Sequence, residues 1–206
     1  MPVFLNGWSF RKAYCNGTQL RRIYCNGTLV WQSVPEYLYH AGDEAVDVTG
    51  GWEPAGIWGN HGNSLYPSCG FAEKKADGIR LFGAASGPGA TGNDNVLGVG
   101  YIYTKQAVDL TDLHTITITL TGEMMMGRVI LCVTDTPVLV VGQTEPPSLA
   151  KAEENGIQTL NGTITMDVSG VTGAHLVWVG ATSQAAAGST PEAWHADVTV
   201  TRIGCD

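Results

Sequence analysis

In Thr115-Ile116-Thr117-Ile118-Thr119-Leu120 every second residue is apolar, and Val198-Thr199-Val200-Thr201 alternates in the same way. A period of two turns one face of a strand toward a core and leaves the other in water. Runs of this kind, rich in β-branched and aromatic residues and bounded by Gly, Asn and Pro, predict eight strands: 79–82, 96–104, 114–121, 129–134, 138–141, 158–168, 175–182 and 196–203. No long stretch sustains a 3.6-residue period, and a short helix is expected only in Glu145 to Asn155, following Pro146-Pro147, within a loop. Eight strands without helical crossovers predict an all-β fold, an antiparallel two-sheet sandwich of jelly-roll type over residues 42–206.

The first 35 residues read differently. Arg11-Lys12-Ala13-Tyr14-Cys15-Asn16-Gly17-Thr18-Gln19-Leu20 is followed directly by Arg21-Arg22-Ile23-Tyr24-Cys25-Asn26-Gly27-Thr28-Leu29-Val30, an internal repeat. Asn-Gly supplies the two positive-φ residues of a type I′ hairpin turn. The two copies predict a three-stranded N-terminal β-meander over residues 1–35, with Cys15 opposite Thr18, Ala13 opposite Leu20, Cys25 opposite Thr28 and Arg22 opposite Trp31. Cys15 and Cys25 then fall on opposite faces, which disfavours a disulfide between them. Three short strands cover little core, so the meander is expected to dock on another surface, in its own chain or in another. Residues 36–41, with Tyr37 and Tyr39 after Pro35, are expected to connect it to the sandwich.

Charge divides the chain at the same place. Arg11, Lys12, Arg21 and Arg22 give residues 1–35 a charge of +4 with no acid, whereas seven basic and 19 acidic residues leave −12 for the remainder. A net charge of −8 argues against nucleic acid as a partner, because phosphate binding needs a basic face. No basic-then-apolar leader and no apolar run of membrane-spanning length occur, so neither a signal peptide nor a membrane segment is expected. Five cysteines, at 15, 25, 69, 132 and 205, form no CxxC pair and are expected to be reduced.

Candidate chemistry is sparse. Gly87-Pro88-Gly89-Ala90-Thr91-Gly92 matches GxGxxG but lacks the following helix that would hold a phosphate, and it reads as a loop. The Asn-Gly-Thr triplets at Asn16, Asn26 and Asn161 read as turns, not glycosylation sites. The five histidines stand singly and no nucleophile motif occurs, so no catalytic residue is assigned and no enzyme is expected. Asp43, Glu44 and Asp47 form either a solvated acidic turn or a calcium site; no other cofactor is indicated. Trp52, Trp58, His61, Asn63 and Tyr66 gather in a Gly-, Pro- and Asn-rich segment, and Trp194 precedes the last strand. They are expected to line a ligand-binding surface; in the alternative, Trp52 and Trp194 plug the open end of the sandwich. Met124-Met125-Met126 is core or an adaptable contact tip.

Ile23-Tyr24-Cys25-Asn26-Gly27-Thr28-Leu29-Val30-Trp31 resembles the I-Y-x-N-G-x-x-V-W hairpin of tail-associated and minor structural proteins of phages and prophages of Gram-positive, often gut, bacteria. Gly42-Asp43-Glu44-Ala45-Val46-Asp47-Val48-Thr49-Gly50-Gly51-Trp52 resembles the G-D-E-x-x-D-x-T-G-G-W opening of a β-sandwich in such proteins. The resemblance implies a non-catalytic virion component or host-attachment protein, made in the bacterial cytoplasm, that forms a homo-oligomer or joins other virion proteins and binds a cell-surface glycan or protein. A free-standing carbohydrate-binding module is the alternative reading, and a glycan-degrading enzyme the third.

Overall fold

Paired short strands shape the first unit of the chain, Met1–Glu36. The computed structural model describes residues 4–5, 8–9, 13–15, 18–20, 22–26, 28–32, 37–42, 51–60, 69–85, 96–139, 143–185 and 194–206. In this unit β1 (Phe4–Leu5) pairs with β2 (Trp8–Ser9), β3 (Ala13–Cys15) with β4 (Thr18–Leu20), and β5 (Arg22–Cys25) with β6 (Thr28–Gln32). Both repeats are hairpins: Ala13 faces Leu20, Cys15 faces Thr18 and Cys25 faces Thr28. Asn26 takes φ 50°, the left-handed geometry that its turn requires. Two details differ from the expected meander. The hairpins are separate two-stranded ladders, and a register shift between Ile23 and Tyr24 sets Trp31 opposite Ile23 and Gln32 opposite Arg22. An extra residue in one strand of a pair shifts all pairing beyond it by one.

The second unit, Tyr37–Asp206, is built from antiparallel strands in one ten-stranded sheet that folds into two layers. Its strands are β7 (Tyr37–His40), β8 (Trp52–Asn60), β9 (Cys69–Lys75), β10 (Gly78–Ala85), β11 (Val96–Thr104), β12 (Val108–Asp109), β13 (Thr115–Thr134), β14 (Ala150–Asp167), β15 (Ala174–Ala185) and β16 (Trp194–Cys205). The main order is β8-β11-β15-β13-β16-β10-β9. No helix occurs among the described residues.

β13 organises the unit. The alternating run at Thr115 and the apolar run at 129–134, expected as two strands, are one strand of 20 residues. At its middle Met126 has φ 53° and the register shifts between Met125 and Gly127. Before this bulge β13 pairs with β16, and after it with β15, while β14 follows its other edge from Val133–Ala150 to Thr115–Asp167. One layer is therefore β9-β10-β16-β13 and the other β8-β11-β15-β13.

Three expectations are corrected here. Glu145 to Asn155 is not helical: residues 150–167 are strand, because the β13 edge offers a continuous ladder whose hydrogen bonds outweigh the helix propensity of Ala150-Lys151-Ala152-Glu153-Glu154. Of the strand expected at 138–141, Val138 and Leu139 are irregular, and residues 140–141 lie outside the described residues. Tyr37–His40, expected as a connection, is a strand on β16 whose Leu38 is fully buried.

The core lies between the layers, where Trp52, Ile79, Leu81, Ile102, Leu131, Val179 and Val198 are buried. At Gly100 a Cβ would collide with the carbonyl oxygens of Phe71 and Phe82, and at Gly70 with the backbone of Val99. The layers thus meet backbone to backbone there, closer than the ~10 Å usual for packed sheets. A second buried cluster, Val99, Tyr101, Ile130, Cys132 and Trp178, occupies the outer face of the second layer under Leu139. Thr134 fastens the covering segment, its hydroxyl donating to the Pro147 carbonyl at 2.7 Å and accepting from the Thr136 N–H at 3.0 Å.

Candidate functional site

Trp52, expected on a contact surface, is 2% exposed, and its Nε1 donates to the Leu38 carbonyl at 3.3 Å. β8 aligns it with the buried Thr104 of β11, so it belongs to the core. Trp194 opens β16 opposite Ala85 and packs half-buried against it. Trp58 is aligned with Gly98. His61, Asn63 and Tyr66, and the calcium candidates Asp43, Glu44 and Asp47, lie outside the described residues. The methionine triplet divides: Met124 is buried at the bulge, and Met126 is 47% exposed.

The structure assembles a different constellation on the outer face of the first layer. In β10, Ile79 and Leu81 point into the core, so Arg80 and Phe82 take the opposite face. Register brings Phe71 and Asp197 to either side of Phe82, and Glu73 and Thr199 to either side of Arg80. The rings of Phe71 and Phe82 stack at 5.1 Å between centroids, inclined by 27°. Arg80 lies across both, its Cζ 5.4 Å from one ring and 5.5 Å from the other. Its Nε and Nη2 donate to the two carboxylate oxygens of Asp197 at 2.8 and 2.7 Å, and its Nη1 to Glu73 at 3.4 Å.

This bidentate clamp fixes the guanidinium plane, so Arg80 loses little further freedom on meeting a partner. Hydrogen bonding to Asp197 holds Arg80 more firmly protonated than usual. Lys75, by its contact with Glu73 at 3.0 Å, and then Arg80 hold the Glu73 carboxyl below its ordinary value. The row continues across β16 to Glu123, and His195 lies 3.5 Å from Glu123. The result is a flat patch with two half-buried rings and a locked cation, flanked by carboxylates. Such a surface can stack against a planar or ring-shaped group and accept or donate hydrogen bonds at its rim.

Other polar groups serve the frame. His175 donates through Nδ1 to Asp135 at 2.7 Å and through Nε2 to the Thr172 carbonyl at 3.0 Å, and these acceptors, Asp135 first, raise its pKa. Both ring nitrogens thus face acceptors within the frame. Burial pushes the thiols of Cys132 and Cys205 up to about 12, far from nucleophilic at neutral pH. Asp109 and Asp167 accept from Thr111 and Ser169 in tight turns that hold their carboxyls low. Among the described residues no group of three or more His, Cys, Asp or Glu is placed to hold a metal.

Phe71, Arg80, Phe82 and Asp197 are not among the residues that sequence reasoning selected. Their signal was present in β10, where Arg80 and Phe82 are out of phase with Ile79 and Leu81. The pairing of β10 with β9 and β16 was not.

No family model and no curated protein matches the chain. Among solved structures it is similar to the K1 cleaved adhesin domain of Lys-gingipain from Porphyromonas gingivalis W83, with 13% identity and a TM-score of 0.36 over 76% of this chain and 99% of that one. The all-β architecture rests on the strand pairing itself. Among the described residues no helix is long and apolar enough to cross a membrane.

Proposed function

We propose that the chain is a non-catalytic attachment module: the first unit joins it to an assembly, and the outer face of β9, β10 and β16 contacts a cell-surface glycan or protein. The clamped stack of Phe71, Arg80 and Phe82 carries the reading, because aromatic and guanidinium groups held in place by their own scaffold make contact area at little entropic cost. The resemblance of residues 23–31 and 42–52 to phage tail-associated proteins supports a virion or prophage tail as that assembly. The concentration of unopposed positive charge in residues 1–35 favours an acidic docking partner there. Calcium at Asp43, Glu44 and Asp47 belongs to this proposal only as a support for the segment before β8.

The test is incubation of the purified chain with an array of bacterial surface glycans, scoring retention and, by mass spectrometry, glycan length. Retention without shortening is expected. Shortened glycans would make the chain a glycan-degrading enzyme, and absence of retention would remove glycans as its target.

A further inference from the structure

Ten consecutive residues of β14 carry no charge: Ile157-Gln158-Thr159-Leu160-Asn161-Gly162-Thr163-Ile164-Thr165-Met166. Among the described residues β14 pairs only with β13, so its second edge presents backbone donors and acceptors. Proteins usually guard such an edge with charge or proline. Here Lys151, Glu153, Glu154 and Asp167 stand at the two ends, and nothing of the kind stands between them. Ile157 is 66% exposed, and an open depression of about 170 Å³, lined by Leu120, Glu154 and residues 158–164, lies beside the stretch.

We infer that two copies of this chain join edge to edge through β14, antiparallel about a two-fold axis at Asn161. Across such an axis, directly opposed residues put their side chains on the same face, so the axis must pass through a residue and not between two. Centring on Asn161 sets Thr159 opposite Thr163 of the second copy, Ile157 opposite Thr165, and Leu160 opposite Gly162. Threonine and aliphatic cross-strand pairs of this kind stabilise antiparallel sheets. Where a Cβ would stand at Gly162 there is nothing within 4 Å, which leaves room for the opposing Leu160. Neighbouring centres are worse. An axis at Leu160 sets Glu153 against Asp167, and one at Gly162 sets Ile157 against Asp167.

Sedimentation velocity on the full chain decides it. The expected result is a wild-type mass that halves in Asn161→Lys and again in Asn161→Asp, since each charge faces its own copy across the axis. Mixing the two variants should restore the wild-type mass through an opposite-charge pair, and Asn161→Ser should keep it. Circular dichroism confirms that the variants are folded, position 161 being exposed. A wild type that sediments as a single chain at micromolar concentration overturns the inference, and that is also the outcome if a foreign peptide occupies the edge. Two charged variants that keep the wild-type mass, or a mixture that fails to recover it, overturn it equally. Assembly through the first unit alone leaves all these masses equal to that of the wild type.

Discussion

Arg80 touches two rings and two carboxylates, and its geometry separates it from a lysine. An ammonium cannot span both oxygens of Asp197 while lying flat on Phe71 and Phe82, so Arg80→Lys should not restore the binding that Arg80→Ala removes. Trp52 belongs to a different class. Its burial and its bond to Leu38 predict that Trp52→Ala costs about 3 to 5 kcal/mol of stability, read by thermal denaturation. His175 predicts a pH dependence. Its folded-state pKa lies above the ordinary 6.5, so the stability it contributes is complete below that value and is lost as pH rises through the elevated one. The stability gap between wild type and Asp135→Asn should therefore be wider at about pH 5.5 than at about pH 8.5, and a gap independent of pH would contradict the assignment.

Strands in this chain are defined by their partners as much as by their own residues. At the bulge in β13, Met126 holds a left-handed φ of 53° with its side chain 47% exposed. Asparagine tolerates that geometry better, so Met126→Asn should gain about 0.5 to 1 kcal/mol in denaturant unfolding. The same dependence explains what was legible in the sequence. Alternation at Thr115 and Val198 identifies strands, and the Asn-Gly repeats identify the two hairpins, because those signals are local. The strand at Ala150 was hidden because its neighbours Ala, Lys and Glu favour helix until β13 is beside them. Trp52 misled because a Gly- and Pro-rich setting reads as loop, whereas β8 runs Trp52–Asn60 through Pro54 and Gly56. The candidate site needed three strands in register, and no spacing in one stretch of chain announces that.

As a whole, the molecule is two units with opposite charge, and the boundary between them falls at Glu36. A chain beginning at Tyr37 should keep the circular dichroism and melting temperature of the second unit. One beginning at residue 43 loses β7, and with it Leu38 and the acceptor for Trp52, and should melt lower. In the second unit, β13 ties both layers together and the glycines let them close, which makes the outer face of β9, β10 and β16 a rigid platform. That this face makes the contact is the central claim. It is tested most directly by measuring glycan-array binding of wild type, Arg80→Ala and Trp52→Ala on one array, each below its own melting temperature. Arg80→Ala should weaken binding by about 1 to 3 kcal/mol. Its stability should change by no more than about 1 kcal/mol, since its ion pairs are partly solvated. Trp52→Ala should lose stability and still bind. Undiminished binding by Arg80→Ala, or binding lost only in folded Trp52→Ala, would contradict the account.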